Sequence, residues 1–127
     1  MTGDASIRIA RAYDEAGDSD SVHILIDRIW PRGVSKENLK HDNWIKEIAP
    51  SSRLREWFGH DPAKWEEFRR RYRAELDDSP ATVEQLLDWC RKGRVTLPYG
   101  ARDREHNQAL VLRAYLAEWL SSERGAP

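Results

Sequence analysis

The spacing of hydrophobic residues along the chain predicts three strands. Apolar and polar residues alternate over residues 6–13, which is the period of a half-buried strand. Residues 22–29 are apolar except at three positions, as in a strand covered on both faces. Residues 94–99 form a third short apolar segment. Two strands are therefore expected near the N-terminus and one after residue 90.

The chain between the second and third predicted strands has helical spacing and clear helix boundaries. One or two short helices are predicted before Pro50, on the apolar residues Leu39, Trp44, Ile45 and Ile48. Further helices are expected to start at a serine cap (Ser51 or Ser52), at Asp61–Pro62 and at Ser79–Pro80, and to stop at Gly59 and Gly93. A last helix is predicted from about Arg104 to Ser121, with residues 122–127 as a frayed tail.

This order of elements predicts an α/β fold. A long helical segment separates the second and third strands, so we expect these two strands to pair in parallel. The expected architecture is one domain over residues 1–127, with a small sheet of three or more strands and helices packed on it.

Composition excludes several classes of protein. The chain has 127 residues, with 21 basic and 22 acidic side chains and a net charge of −1, so disorder of the whole chain is not expected. No apolar run is long enough to span a membrane, and the single Cys90 excludes a disulfide framework. The N-terminus does not have the pattern of a signal peptide, so a cytoplasmic location is expected.

Candidate ligand-binding residues follow two of the predicted strands. In a parallel sheet, ligands bind beyond the carboxyl ends of the strands, which selects residues 27–33 and 99–103. Guanidinium groups bind carboxylate or phosphate, and a helix N-terminus favours anions. An anion-binding rim is therefore predicted, with the ligand-binding candidates Arg28, Trp30, Arg32, Gly33, Arg102, Asp103 and Asn107.

Three residues of the same rim are candidates for proton transfer, namely Asp27, Tyr99 and His106. No nucleophile or cofactor motif accompanies them, so no cofactor is predicted and the reaction class stays open. The four histidines lack the spacing of metal ligands, and no metal is predicted.

Structural roles are equally consistent with these residues. Asp27 and Arg28 could form an ion pair that joins loops, and Trp30–Pro31 could be a packed corner. Asp103 could serve only as a helix cap. Cys90 lies on an apolar helix face, which favours a core position.

Three sequence blocks resemble a known family. They are Asp27 to Gly33, Leu54 to Pro62, and Val95 to Asn107, and together they span nearly the whole chain. In this order they are similar to the bacterial YeaO-like proteins, a domain-of-unknown-function family. Pro98 departs from the apolar strand residue usual there. The resemblance implies a compact bacterial α/β domain and no established activity.

The leading functional hypothesis is a protein that binds a small anionic metabolite at the rim, with enzymatic activity left open. An alternative is a nucleic-acid-associated or regulatory module that uses Arg53, Arg55 and the run Arg69 to Arg73. A further alternative is a protein-interaction domain, which would expose an apolar patch that includes tryptophans.

Overall fold

A computed structural model describes residues 7–11, 22–28, 43–100 and 103–125. Its strands are β1 (Ile7–Arg11), β2 (Val22–Leu25), β3 (Asn43–Trp44) and β4 (Val95–Tyr99). Its α-helices are α1 (Ser52–Phe58), α2 (Trp65–Asp77), α3 (Pro80–Lys92) and α4 (Gln108–Gly125). Two short 3-10 helices, Lys46–Ile48 and Pro62–Lys64, precede α1 and α2.

The four strands form one sheet in the order β1-β4-β2-β3, and every pairing is parallel. Val95 of β4 lies opposite Ile7 of β1 on one side and opposite Val22 of β2 on the other. All five residues of β4 are buried, because this strand is central and apolar. The predicted α/β class and the parallel pairing of β2 with β4 are confirmed.

The short strand β3 was not expected from the sequence. Trp44 was assigned to a helix, but residues 43–44 instead pair with Ile24 and Leu25. Contacts remote in sequence hold this segment extended: the Trp44 indole donates to the Asp27 carbonyl at 2.6 Å, and the Ile45 amide donates to the Leu25 carbonyl at 3.0 Å. The prediction was wrong here because tertiary pairing outweighed local helical spacing. Leu39 lies outside the described residues.

The second strand is shorter than expected. It ends at Leu25, and the backbone bends at Arg28, whereas the apolar pattern predicted a strand to residue 29. Ile26 is nonetheless fully buried. The apolar pattern reports burial, and burial continues past the last residue that is paired in the sheet. The pattern therefore predicted a strand that is longer than the observed one.

The core lies between the sheet and the helices. α4 packs against β1, β4 and α2, and α3 packs against α2. Tyr72 of α2 is fully buried, and its hydroxyl donates to the Ile48 carbonyl at 2.7 Å. Cys90 is buried, and this burial raises the pKa of its thiol to about 11. Trp57 and Trp65, which share helical spacing with core residues, are only partly buried and pack against this core.

Most of the predicted helix boundaries are confirmed. The Ser51 hydroxyl accepts from the Leu54 amide at 3.1 Å, and the Asp61 carboxylate accepts from the Ala63 amide at 3.0 Å. Gly59 ends α1 with a φ of 55°, in the left-handed region that favours glycine.

The last helix is displaced from its predicted range. It begins at Gln108, because Asp103 and Asn107 organise the preceding residues into a turn. It continues to Gly125, beyond the predicted end at Ser121, and fraying of residues 122–127 stays a prediction. Arg91 of α3 holds this end through a 2.5 Å ion pair with Glu123. Residues 126–127 lie outside the described part. None of the helices described is long and apolar enough to cross a membrane.

Candidate functional site

Asp27 joins the carboxyl ends of two neighbouring strands. It follows β2, and one carboxylate oxygen accepts from the Gly100 amide, directly after β4, at 2.8 Å. The other oxygen accepts from the Gln108 side-chain amide, in the first turn of α4, at 2.7 Å. The expectation that Asp27 and Tyr99 lie at the same end of the sheet is therefore confirmed.

The protonation of Asp27 is altered by its surroundings. Burial raises the pKa of its carboxyl from 3.8 to about 6, because the charged form loses solvation. The Gly100 amide, the charge of Arg55 and the Gln108 amide each act in the opposite direction. The effect of burial on the pKa is larger than these three effects combined, so the Asp27 carboxyl has a pKa in the mildly acidic range.

A cavity of about 300 Å³ lies beside this junction. α1 and the turn after it, α2, and the start of α4 supply its walls, which consist of Ser52, Arg55, Glu56, Phe58, His60, Phe68, His106, Asn107 and Gln108. Within the described residues, no carboxylate forms an ion pair with the Arg55 guanidinium. The cavity therefore has a cationic group on its α1 side. Gln108, which lines the cavity, is hydrogen-bonded to Asp27.

His106 is held in place by Asp103. The His106 Nδ1 atom lies 2.9 Å from one Asp103 carboxylate oxygen, and the other oxygen accepts from the His106 amide at 3.0 Å and the Glu105 amide at 2.8 Å. The Glu105 amide and the His106 ring lower the pKa of the Asp103 carboxyl. The His106 ring also meets the Trp65 ring edge-on, with centroids 5.3 Å apart. These contacts orient the imidazole at the cavity wall.

Asn107 is buried and caps the start of α4. Its side-chain oxygen accepts from the Leu110 amide at 3.1 Å, and its side-chain nitrogen donates to the Asp103 carbonyl at 2.9 Å. Both polar atoms thus stabilise the turn that carries His106. Asn107 lines the cavity, but a ligand would compete with these two hydrogen bonds.

Arg28 and Tyr99 do not line this cavity. The Arg28 guanidinium donates to the carbonyls of Ala49 at 3.2 Å and Pro50 at 3.3 Å. Arg28 thereby lines a separate depression of about 330 Å³, which also includes Tyr72 and Glu75. Tyr99 is buried at the end of β4. The described residues that were predicted at the rim thus lie in different surroundings. Trp30, Arg32, Gly33 and Arg102 lie outside the described residues.

Several residues of the cavity were missed by reasoning from sequence. The sequence indicates Arg55 only as part of a nucleic-acid surface and Phe58 and Phe68 only as core residues of helices, and it singles out no role for Gln108. Arg55 follows the Ser51 cap by four residues, which places it on α1, but nothing in that spacing shows that α1 faces the start of α4. The packing of α1 on α2, and of α2 on α4, brings these residues together.

Comparison with known proteins shows the family of the chain. The chain matches the model of a family described as the inactive DUF488-N3 subclade over residues 6–127. The chain belongs to this family.

Its relatives include the uncharacterized protein YeaO of Escherichia coli (strain K12), which is 42% identical over 117 residues, covering 92% of this chain and 98% of the relative. The uncharacterized protein Rv3073c of Mycobacterium tuberculosis (strain H37Rv) is also 42% identical, over 91% of this chain and 98% of the relative. The predicted YeaO-like membership is confirmed. No solved structure gives a significant match.

The arginine-rich run on α2 is paired with carboxylates. Arg69 lies 2.9 Å from Glu66, Arg71 lies 2.8 Å from Glu67, and Arg73 lies 2.6 Å from Glu118 of α4. Such neutralised pairs present little excess positive charge to a phosphate backbone. Trp119 is the exposed large hydrophobic residue of the described chain, with 48% of its surface accessible. The described residues contain no cluster of three or more His, Cys, Asp or Glu that could hold a metal ion.

Proposed function

We propose that this protein binds a small anionic molecule in the cavity between α1 and the start of α4. The observation that carries the proposal is the Arg55 guanidinium, which lines the cavity and forms no ion pair with a described residue. The charge of Arg55 lowers the pKa of the Asp27 carboxyl, but the guanidinium is not in ion-pair contact with a described carboxylate. A guanidinium outside such contact can donate to the oxygens of a carboxylate or phosphate.

Neutral donors of the same cavity support an anion. The Ser52 hydroxyl and the His60 imidazole also line it, and each can donate a hydrogen bond to an oxygen atom. The His106 imidazole lines the cavity too, but its Nδ1 already faces the Asp103 carboxylate. A volume of about 300 Å³ lies at the lower end of the usual range for ligand sites, so the ligand is small. The anion-binding site thus depends on Arg55 instead of Arg28.

Binding without turnover agrees with the family description, which calls this subclade inactive. Both carboxylate oxygens of Asp27 already accept hydrogen bonds from the protein, and Tyr99 is buried. Among the three proton-transfer candidates, only His106 lines the cavity. Proton transfer by Asp27, Tyr99 or His106 stays a prediction, as does a cytoplasmic location.

The proposal is tested by titrating the ¹⁵N-labelled protein with acetate and, separately, with inorganic phosphate. We expect saturable shifts of the backbone amides of residues 103–108, with a Kd on the order of 1 mM because Arg55 is exposed. Arg55→Gln removes the charge and should weaken binding about tenfold.

Arg70→Gln is the matched control. Arg70 belongs to α2, is exposed, and is ion-paired with Glu67 at 2.5 Å. This variant should bind acetate as the wild type does. Absence of saturable shifts in the wild type, or equal affinity of wild type and Arg55→Gln, would contradict the proposal.

A further inference from the structure

The cavity has a polar side and an aromatic side. Ser52, Arg55 and Glu56 of α1 supply hydroxyl and charged groups. Four rings, those of Phe58, His60, Phe68 and His106, supply the aromatic side. A ligand that fills the whole cavity therefore combines a charged group with a hydrophobic body.

The rings of the aromatic side lie at different angles. Phe58 and Phe68 are stacked, with centroids 4.3 Å apart. His60 is tilted by 52° to Phe58 at 6.3 Å, and the imidazole of His106 stands perpendicular to Trp65. Aromatic rings attract one another in offset or edge-to-face arrangements, so walls set at such angles favour a flat aromatic ring over a thicker aliphatic one.

The backbone at His60 is unusual. Its φ is 58°, in the left-handed region, and it directly follows Gly59 at a φ of 55°. A residue with a side chain adopts this conformation at an energetic cost, and such strain is concentrated at functional sites. His60 is otherwise exposed, so its ring is held at the cavity mouth by the turn and not by burial.

Charge and size limit the ligand further. Arg55 contributes one positive charge, and the neighbouring Glu56 carboxylate disfavours a second negative charge on the ligand. A volume of about 300 Å³, or roughly ten water molecules at about 30 Å³ each, is enough for a single ring with one substituent.

We infer that the ligand of this cavity is a planar aromatic carboxylate with one ring, its carboxylate at Arg55 and its ring among Phe58, His60 and His106. This inference rests on the proposed function, because it names the class of anion that the same site binds. The aromatic body supplies the part of the affinity that an exposed guanidinium alone does not.

The test compares four small probes by NMR titration: benzoate, cyclohexanecarboxylate, benzamide and acetate. Benzoate should bind about fivefold more tightly than cyclohexanecarboxylate, which has the same charge and a similar size but no aromatic ring. Benzamide keeps the ring and lacks the charge, and it should bind about tenfold more weakly than benzoate. Acetate should bind about tenfold more weakly than benzoate, because it has no ring to bury.

Two substitutions at His60 separate the ring from the backbone. His60→Asn removes the ring, while asparagine tolerates the left-handed conformation, so its unfolding midpoint should equal or exceed that of the wild type. The preference for benzoate over cyclohexanecarboxylate should fall to about twofold or less. His60→Phe restores a ring and should restore the preference.

The outcomes distinguish this inference from the proposed function. If no carboxylate binds, or if Arg55→Gln binds benzoate as the wild type does, the proposed function fails and the inference fails with it. If the carboxylates bind through Arg55 but benzoate and cyclohexanecarboxylate bind equally, only the aromatic class is overturned. An unchanged benzoate preference in a folded His60→Asn variant also overturns it.

Discussion

Replacing Asp27 with asparagine should remove a pH dependence of stability that the wild type shows. Burial raises the folded-state pKa of this carboxyl to about 6, against 3.8 for an exposed aspartate. Below pH 3.8 the group is protonated in both the folded and the unfolded state. As pH rises towards the folded pKa of about 6, the unfolded chain releases the proton first, so the wild type loses stability.

The size of this loss follows from the two pKa values. Their difference, at about 1.4 kcal/mol for each pKa unit, corresponds to about 3 kcal/mol of unfolding free energy. This is an upper value, because part of the Asp27 side chain reaches solvent. In Asp27→Asn the amide does not titrate, and its oxygen can still accept from the Gly100 amide. The Gln108 side chain can rotate so that its oxygen accepts from the new amide group.

The assay is urea unfolding followed by tryptophan fluorescence, between about pH 4 and about pH 7.5. The free energy of unfolding of Asp27→Asn minus that of the wild type should rise by about 2–3 kcal/mol across this range. Asp78→Asn removes one exposed carboxylate at the end of α2 and is the control, and the rise with pH should be larger in Asp27→Asn than in this control. A constant difference for Asp27→Asn, or one that falls as pH rises, would refute the reasoning.

Two further substitutions test contacts of α2 and of the turn after α1. Tyr72→Phe removes the buried hydroxyl that donates to the Ile48 carbonyl at 2.7 Å, so it should destabilise the protein by about 1–2 kcal/mol in urea unfolding. An unchanged unfolding midpoint would show that this hydrogen bond adds nothing to stability. Gly59→Ala places a Cβ in the left-handed region, where the nearest contact, the Glu56 carbonyl at 3.6 Å, leaves room for it. Backbone strain alone should cost about 1–2 kcal/mol, measured as a lower unfolding midpoint, and a higher midpoint would contradict this reason.

The arrangement around Asp27 connects the stability of the sheet to the cavity. Its carboxylate holds Gly100 and Gln108, and Arg55 of the cavity wall lowers its pKa. An anion bound at Arg55 would offset part of that positive charge. The charge of Arg55 thus influences both the pKa of Asp27 in the folded state and the binding of the proposed ligand.

Local sequence patterns were enough to predict the helices and the pairing of the main strands. Ser51, Asp61 and Gly59 act within one helical turn of their own position, so their effect is visible in the sequence. The long helical segment between β2 and β4 required a crossover, and a crossover between neighbouring strands makes them parallel. Because these two strands are parallel neighbours, Asp27 after β2 and Gly100 after β4 lie close enough to form a hydrogen bond.

Only the tertiary structure decided which side chains share the cavity. Trp44 lies in the sheet because its indole donates to the Asp27 carbonyl and the next amide, that of Ile45, donates to the Leu25 carbonyl. Hydrophobic periodicity does not show such partners. The Arg28 guanidinium donates hydrogen bonds to the carbonyls of Ala49 and Pro50 and does not line the cavity. Arg55 lies near the start of α4 because α1 packs on α2 and α2 packs on α4. Hydrophobic periodicity reports which face of an element is buried, but the identity of the opposing surface depends on residues far away in the chain.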